Sequence, residues 1–73
     1  MKYKALIEHI ISNANTYIEL YESKEQLQEI EKGVLCGLLM DVESIENQLI
    51  IEGEKIDIDL DAIIKKLNEL INK

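Results

Sequence analysis

The sequence lacks most of the residue types that interrupt or staple a fold. Its 73 residues include no proline, tryptophan or phenylalanine, and it has three glycines and one cysteine. With the single cysteine Cys36 no disulfide can form within the chain, and no Cys/His cluster could hold a structural zinc ion. A chain this short buries only roughly 60% of its unfolded surface, so its stability is marginal unless a partner adds to it. We therefore expect one domain, residues 1–73, that assembles as a homo-oligomer.

Long apolar runs are also missing. The longest, residues 34–40, is far shorter than the ~20 residues that span a membrane, and no signal-peptide pattern opens the chain. We therefore expect no membrane association and a cytoplasmic location, in agreement with the unpaired thiol. Arginine is absent while Ile, Lys, Asn and Glu are abundant. This bias favours an AT-rich bacterial or phage genome as the source.

Helical periodicity describes most of the apolar residues. They recur at alternating steps of four and three from Tyr3 to Tyr21, and at steps of three or four from Leu27 through Ile30 and Val34 to Leu49. Gly53 predicts the end of the second helix, and Asp57 or Asp59 the cap of a third. The apolar face of that helix is Leu60, Ile63, Ile64, Leu67, Leu70 and Ile71. The sequence predicts an all-α three-helix bundle with helices over residues 3–22, 24–51 and 59–72.

Some helix boundaries leave alternatives open. Ser23 and Gln26 have the spacing of a capping box, which predicts that the second helix starts at residue 24. No glycine or proline marks this turn, so one long kinked helix is the alternative. Gly33 could also end a short helix, although the apolar phase continues across it. Residues 49–51 and 56–58 could instead form a β-hairpin, which ranks second because an isolated hairpin is only marginally stable.

The middle of the second helix is apolar on nearly all sides. Gly33 and Gly37 lie one turn apart, and each costs about 1 kcal/mol relative to alanine inside a helix, so we expect a packing gain to offset them. A helix of a small bundle needs only one buried face, and the remaining apolar surface therefore predicts contact with another molecule. The predicted oligomer interface is Gly33, Val34, Gly37, Leu38 and Met40.

Acidic side chains are concentrated between residues 41 and 61. This segment holds eight acidic residues and one lysine, which equals the net charge of the whole chain, −7. It repels phosphate backbones, so direct nucleic-acid binding is disfavoured, and it attracts basic partners. The simplest interpretation is a solvated surface; the functional one is contact with a protein partner. The acidic zone predicted to make this contact is Asp41, Glu43, Glu46, Glu52, Glu54, Asp57 and Asp59.

The sequence contains no residue pattern typical of catalysis. Cys36 and His9 are the only candidates for nucleophilic chemistry, and their spacing does not predict that they meet. The alternating aspartates of residues 57–61 resemble the start of a calcium loop. However, the sixth and twelfth positions lack the glycine and glutamate that such a loop requires. We therefore predict no enzyme activity, no cofactor and no metal.

Three functions follow as hypotheses. The favoured one is a small acidic interaction module that self-associates and binds or modulates a larger protein of unknown identity, encoded by a phage or mobile element. The second is an inhibitor whose acidic zone imitates nucleic-acid phosphates and blocks a DNA- or RNA-binding enzyme. The third is a cofactor-free enzyme that uses Cys36 or His9.

Overall fold

Three α-helices packed against one another make up the protein in a computed structural model that describes residues 3–73. α1 spans Lys4–Glu22, α2 spans Glu29–Glu52 and α3 spans Leu60–Ile71. No strand occurs within residues 3–73, so the all-α prediction is confirmed. At 1.5 Å per residue α2 extends about 36 Å, close to the 38 Å long dimension of the molecule. None of the described helices is long and apolar enough to cross a membrane.

A single apolar core runs along the line where the three helices meet. Leu35 and Val42 of α2 and Leu67 of α3 are completely enclosed and form its centre. α3 buries one side only, and that side is the one its sequence predicts. The other buried residues are Ile11, Ala14, Ile18 and Tyr21 of α1, Leu27, Ile45 and Leu49, and Leu60, Ile63 and Leu70 of α3.

The start of α2 differs from the predicted one. α2 begins at Glu29, and residues 23–28 form a connection, so the single kinked helix does not occur. The cap lies five residues later than predicted: the backbone N–H of Gln28 donates to Glu31 Oε1 at 2.9 Å. Leu27, in the connection, is buried against the core. Burial of that side chain holds the connection in place, and the helix starts only after it.

The side of α2 that faces the core also differs from the prediction in the first half of the helix. The periodicity assigned Ile30 and Val34 to the buried face, but these side chains are 76% and 38% exposed. Leu35 is buried in their place, two helical turns before the buried Val42. Both sides of this segment are apolar, so periodicity could not identify the inner one. α2 is continuous through its glycines, as predicted.

Two local signals end α2 and begin α3. Gly53 has a left-handed backbone (φ 67°), and its N–H donates to the carbonyl of Ile50 at 3.2 Å. Asp59 caps α3, because its Oδ1 accepts the N–H of Ala62 at 3.1 Å. Both predictions are confirmed. Residues 54–59 form a connection without strands, so the β-hairpin alternative does not occur.

The last turn of α1 is tied to the end of α3. Lys73 Nζ donates to the carbonyl oxygens of Tyr21, Glu22 and Lys24, at 3.3, 2.9 and 2.7 Å. The last carbonyls of a helix lack partners within it and attract positive charge. The Lys24 ammonium lies 5.3 Å from the centre of the Tyr21 ring and also bonds to Glu31. These contacts join the ends of all three helices.

Candidate interaction site

A continuous uncharged face runs along the side of α2 that points away from the core. Its seven positions are separated by alternating steps of three and four residues, a spacing that places side chains on one side of a helix. All seven residues are exposed and none carries a charge. We call them the outer face of α2: Ile30, Gly33, Gly37, Met40, Ser44, Asn47 and Ile51.

The apolar side chains of the outer face are among the most exposed large apolar side chains of the described residues. Ile30 is 76% exposed, Met40 is 68% exposed and Ile51 is 77% exposed. Single exposed apolar residues are common on soluble proteins and need no explanation. Here three of them lie in one row, with no charged residue between them along the row. Such a row is typical of a helix that packs against another molecule.

No contact among residues 3–73 requires the two glycines of this face. A methyl group built at Gly33 or at Gly37 would have no atom within 4 Å, apart from the helix itself. Each glycine nevertheless costs about 1 kcal/mol relative to alanine inside a helix. Packing inside the bundle therefore does not offset this cost. A helix backbone approaching from outside would, because small residues permit close contact between helices.

The structure places three of the five predicted interface residues on the outer face: Gly33, Gly37 and Met40. Val34 lies at the edge of this face and is 38% exposed. Leu38 is half-buried and packs against the core instead. The outer face therefore shares three residues with the predicted interface, but Leu38 belongs to the opposite side of the helix, which faces the core.

Sequence reasoning missed Ile30 and Ile51, the two ends of the face. Ile30 was assigned to the core, and Ile51 was considered only as the end of a helix or part of a hairpin. The signal that would have found them is the spacing of Gly33, Gly37 and Met40, extended in both directions along the helix.

The acidic zone divides into differently placed groups. At about 100° per residue, Asp41 and Glu43 lie on opposite edges of the outer face, and both are exposed. Glu52 accepts a hydrogen bond from Gln48 at 3.1 Å. Asp59 is occupied as the cap of α3. Two further members, Glu54 and Asp57, are exposed in the connection after α2.

Glu46 is the one member of the zone that meets an acidic residue of another helix. Asp61 of α3, hydrogen-bonded to Glu46, raises the pKa of Glu46 above the ordinary value. Partial burial and the charges of Asp61 and Glu43 act in the same direction. When two carboxyl groups are neighbours, the negative charge of one disfavours ionisation of the other, and the pKa rises. Glu46 is therefore turned toward α3 and away from the outer face.

The two candidates for nucleophilic chemistry do not form a pair. Cys36 is exposed on α2. His9 is exposed on α1, where its Nε2 lies 3.4 Å from the side-chain nitrogen of Asn13. Neither bonds to the other, and a thiol nucleophile needs a base within hydrogen-bond reach. Within residues 3–73 no cluster of three or more His, Cys, Asp or Glu could hold a metal ion.

A shallow groove of about 260 Å³ lies between the first half of α1 and the second half of α2. Exposed Leu6 and half-buried Ile10 supply the α1 side, and Ser44 of the outer face supplies part of the α2 side. The groove carries no catalytic or metal-binding arrangement. Through Ser44 it adjoins the outer face, and it enlarges the apolar surface on that part of the molecule.

No known protein family matches this chain, and no curated protein or solved structure is significantly similar to it. Its own surface is therefore the guide to its function. That surface includes the outer face of α2, with three exposed apolar side chains and two glycines at which an added methyl group would meet no other described residue.

Proposed function

We propose that the protein is a small helical interaction module that self-associates through the outer face of α2. The carrying observation is that this face combines a row of exposed apolar side chains with two glycines at which an added methyl group would meet no other part of residues 3–73. The apolar side chains provide the driving force, since burying one fully is worth about 1.5–3 kcal/mol. The glycines let a second helix come close.

The acidic zone takes part in this function as a surface for a larger, basic protein. Glu54 and Asp57 are exposed in the connection after α2, beyond the last residue of the outer face. Their charge would steer a basic partner toward this end of the bundle. A nucleic-acid mimic is less well supported, because Glu46 and Asp59 are engaged within the chain.

Sedimentation velocity over a range of protein concentrations up to about 100 μM tests the self-association. We expect the wild-type chain to shift from monomer toward dimer as the concentration rises. Met40→Glu places a charge in the middle of the outer face, which is costly to bury without a partner. This variant should remain a folded monomer, because Met40 makes no essential contact with the core.

Leu20→Glu is the matched control. Leu20 is 56% exposed on α1 and lies outside the outer face. The Leu20→Glu variant should associate like the wild type. The wild type, Met40→Glu and Leu20→Glu should all have equal helix content by circular dichroism. A wild-type chain that stays monomeric throughout the range would contradict the proposal. Equal loss of association in Leu20→Glu would show that the outer face is not the surface used.

A further inference from the structure

We infer that the outer face of α2 takes a second copy of this chain, with the two α2 helices antiparallel and the twofold axis near Met40. This inference rests on the proposed self-association and adds its geometry. In a twofold contact, residue i of one copy meets residue j of the other, and residue j meets residue i. For an antiparallel contact, the surface must fit a copy of itself that is rotated by 180° about an axis perpendicular to the helix.

Most of the outer face has this symmetry in the size of its residues; the exception is the pair Gly33 and Asn47, which lie seven positions before and after Met40. Ile30 lies ten positions before Met40, and Ile51 lies eleven positions after it. Gly37 and Ser44, both small, lie three before and four after. In an antiparallel pair Ile30 would meet Ile51 of the second copy, and Gly37 would meet Ser44. Bulky side chains then pack at both ends, while small residues surround the centre.

The centre of the face suits a residue that meets its own copy. Met40 is unbranched and flexible, so two methionine side chains can adjust to each other beside the axis. Packed helices usually lie about 8–10 Å apart, and the distance depends on the side chains at the contact. Gly33 and Gly37 have open space where a side chain would stand. They therefore permit an approach at the short end of that range.

The distribution of charge along α2 distinguishes antiparallel from parallel packing. Apart from Glu46, which is turned toward α3, the second half of the helix carries the acidic charges of Asp41, Glu43 and Glu52, whereas the first half carries Lys32 with Glu29 and Glu31. A parallel pair would bring the two acidic halves together along their whole length. An antiparallel pair brings each acidic half beside the half that contains the lysine. It also sets the two helix dipoles in opposite directions.

Cysteine cross-linking in a Cys36→Ser background tests the orientation. Met40→Cys, Ile30→Cys and Ile51→Cys are each made as the single cysteine of the chain. A disulfide needs Cα atoms within about 7 Å. In an antiparallel pair the two copies of residue 30 are about 31 Å apart along the axis, at 1.5 Å per residue. In a parallel pair they are neighbours.

We expect Met40→Cys to oxidise to a covalent dimer under a glutathione redox buffer. Ile30→Cys and Ile51→Cys should each form at least about tenfold less homodimer, but a mixture of the two should cross-link to each other. Cross-linking of Ile30→Cys with itself as readily as Met40→Cys would overturn the antiparallel arrangement. A failure of Met40→Cys to cross-link in an associating protein would overturn the axis near this residue.

A second measurement replaces none of the seven residues of the outer face. Glu29, at the start of α2, is exposed, and Glu29→Cys in the same background carries a spin label. Pulsed electron paramagnetic resonance should give a separation of about 35 Å between labels, from the rise of the helix. A separation under about 20 Å would establish a parallel pair instead. Both results differ from failure of the proposed function, in which the Cys36→Ser chain sediments as a monomer and no intermolecular distance is seen.

Discussion

Two glutamates on α2 have pKa values displaced in opposite directions, although both are on the same helix. Glu31 bonds to the ammonium of Lys24 and to the N–H of Gln28, and these contacts lower its pKa. Glu46 lies beside Asp61, and the hydrogen bond and negative charge of that carboxyl group raise its pKa. Opposite displacements mean opposite effects of pH on stability. Each glutamate therefore serves as a control for the other.

Replacement of Glu46 by glutamine should stabilise the protein near neutral pH. The stability due to protonated Glu46 is present below the ordinary glutamate pKa, about 4.3, and is lost as pH rises through the raised pKa of the folded state. Glu46→Gln cannot ionise and avoids that loss. We expect its Tm to exceed that of the wild type at about pH 7 and to approach it at about pH 3, by circular dichroism.

Glu31→Gln is the matched control with the opposite sign. A lowered pKa stabilises the folded state above the ordinary glutamate value, and the effect disappears as pH falls through the lowered pKa. Its Tm should lie below that of the wild type at about pH 7, and the difference should shrink in acid. If Glu46→Gln instead lowered Tm at neutral pH, the claim that Asp61 raises the pKa of Glu46 would be wrong.

At the scale of the element, α2 differs from α3 in having two apolar sides. α3 buries Leu60, Ile63, Leu67 and Leu70 and presents a polar outer side. α2 buries one side and exposes the outer face. Its two interior glycines lower its helix propensity without a packing gain inside the chain. Replacement of either glycine by alanine should therefore stabilise the folded monomer and weaken its self-association.

Gly33→Ala and Gly37→Ala should each stabilise the dilute monomer by about 0.5–1 kcal/mol, because alanine is the better helix former and open space receives the methyl group. Each should also weaken self-association, because the added methyl group holds the second helix away. Urea unfolding below the association range measures the first effect, and sedimentation at about 100 μM measures the second.

Gly53→Ala is the control for the glycine substitutions. Gly53 has φ 67°, a left-handed backbone that strains an L residue by about 1–2 kcal/mol. This change should destabilise the monomer and leave the association of the folded chain unaltered. If Gly33→Ala and Gly37→Ala associated as strongly as the wild type, close approach at these two positions would be excluded.

At the scale of the whole molecule, net charge opposes self-association. Each chain carries −7, so two copies repel each other at long range. Salt screens this repulsion, since the Debye length falls from about 30 Å at 0.01 M to about 3 Å at 1 M. The apolar contact proposed for the outer face would not depend on attraction between charges. Salt should therefore strengthen association if repulsion between the chains opposes it, and weaken association if ion pairs hold the copies together.

We expect the wild-type chain to associate more strongly as the salt concentration rises from about 0.02 to 0.5 M, as measured by sedimentation equilibrium. Sodium chloride is suitable because it screens charge with little effect on apolar burial. Met40→Glu should remain monomeric at both concentrations. Weaker association at high salt would mean that ion pairs, and not the apolar residues of the outer face, hold the copies together.

Much of the fold could be predicted from residues close together in the chain. Gly53 and Asp59 act on backbone groups within a few residues, and each ended or began a helix where expected. The start of α2 was placed too early, because burial of Leu27 in the connection depends on distant parts of the chain. The contact between Glu46 and Asp61 was missed for the same reason, since it joins two helices.

The candidate site was predicted in part. Gly33, Gly37 and Met40 were identified because a helix apolar on all sides must leave some of that surface outside a small bundle. Leu38 was included and Ile30 left out, since periodicity describes which residues share a side but not which side faces inward. That choice between two apolar sides has no local signal.

The sequence alone determined the helical class, the one-sided apolar face of α3 and the turn at Gly53, because these depend on local propensity and on hydrogen bonds a few residues apart. Only the tertiary structure decided that Leu35 and Val42 face the core while Ile30, Met40 and the glycines face outward. The packing of α1 and α3 against α2 selects that side, and this packing energy is shared among residues distant in the chain.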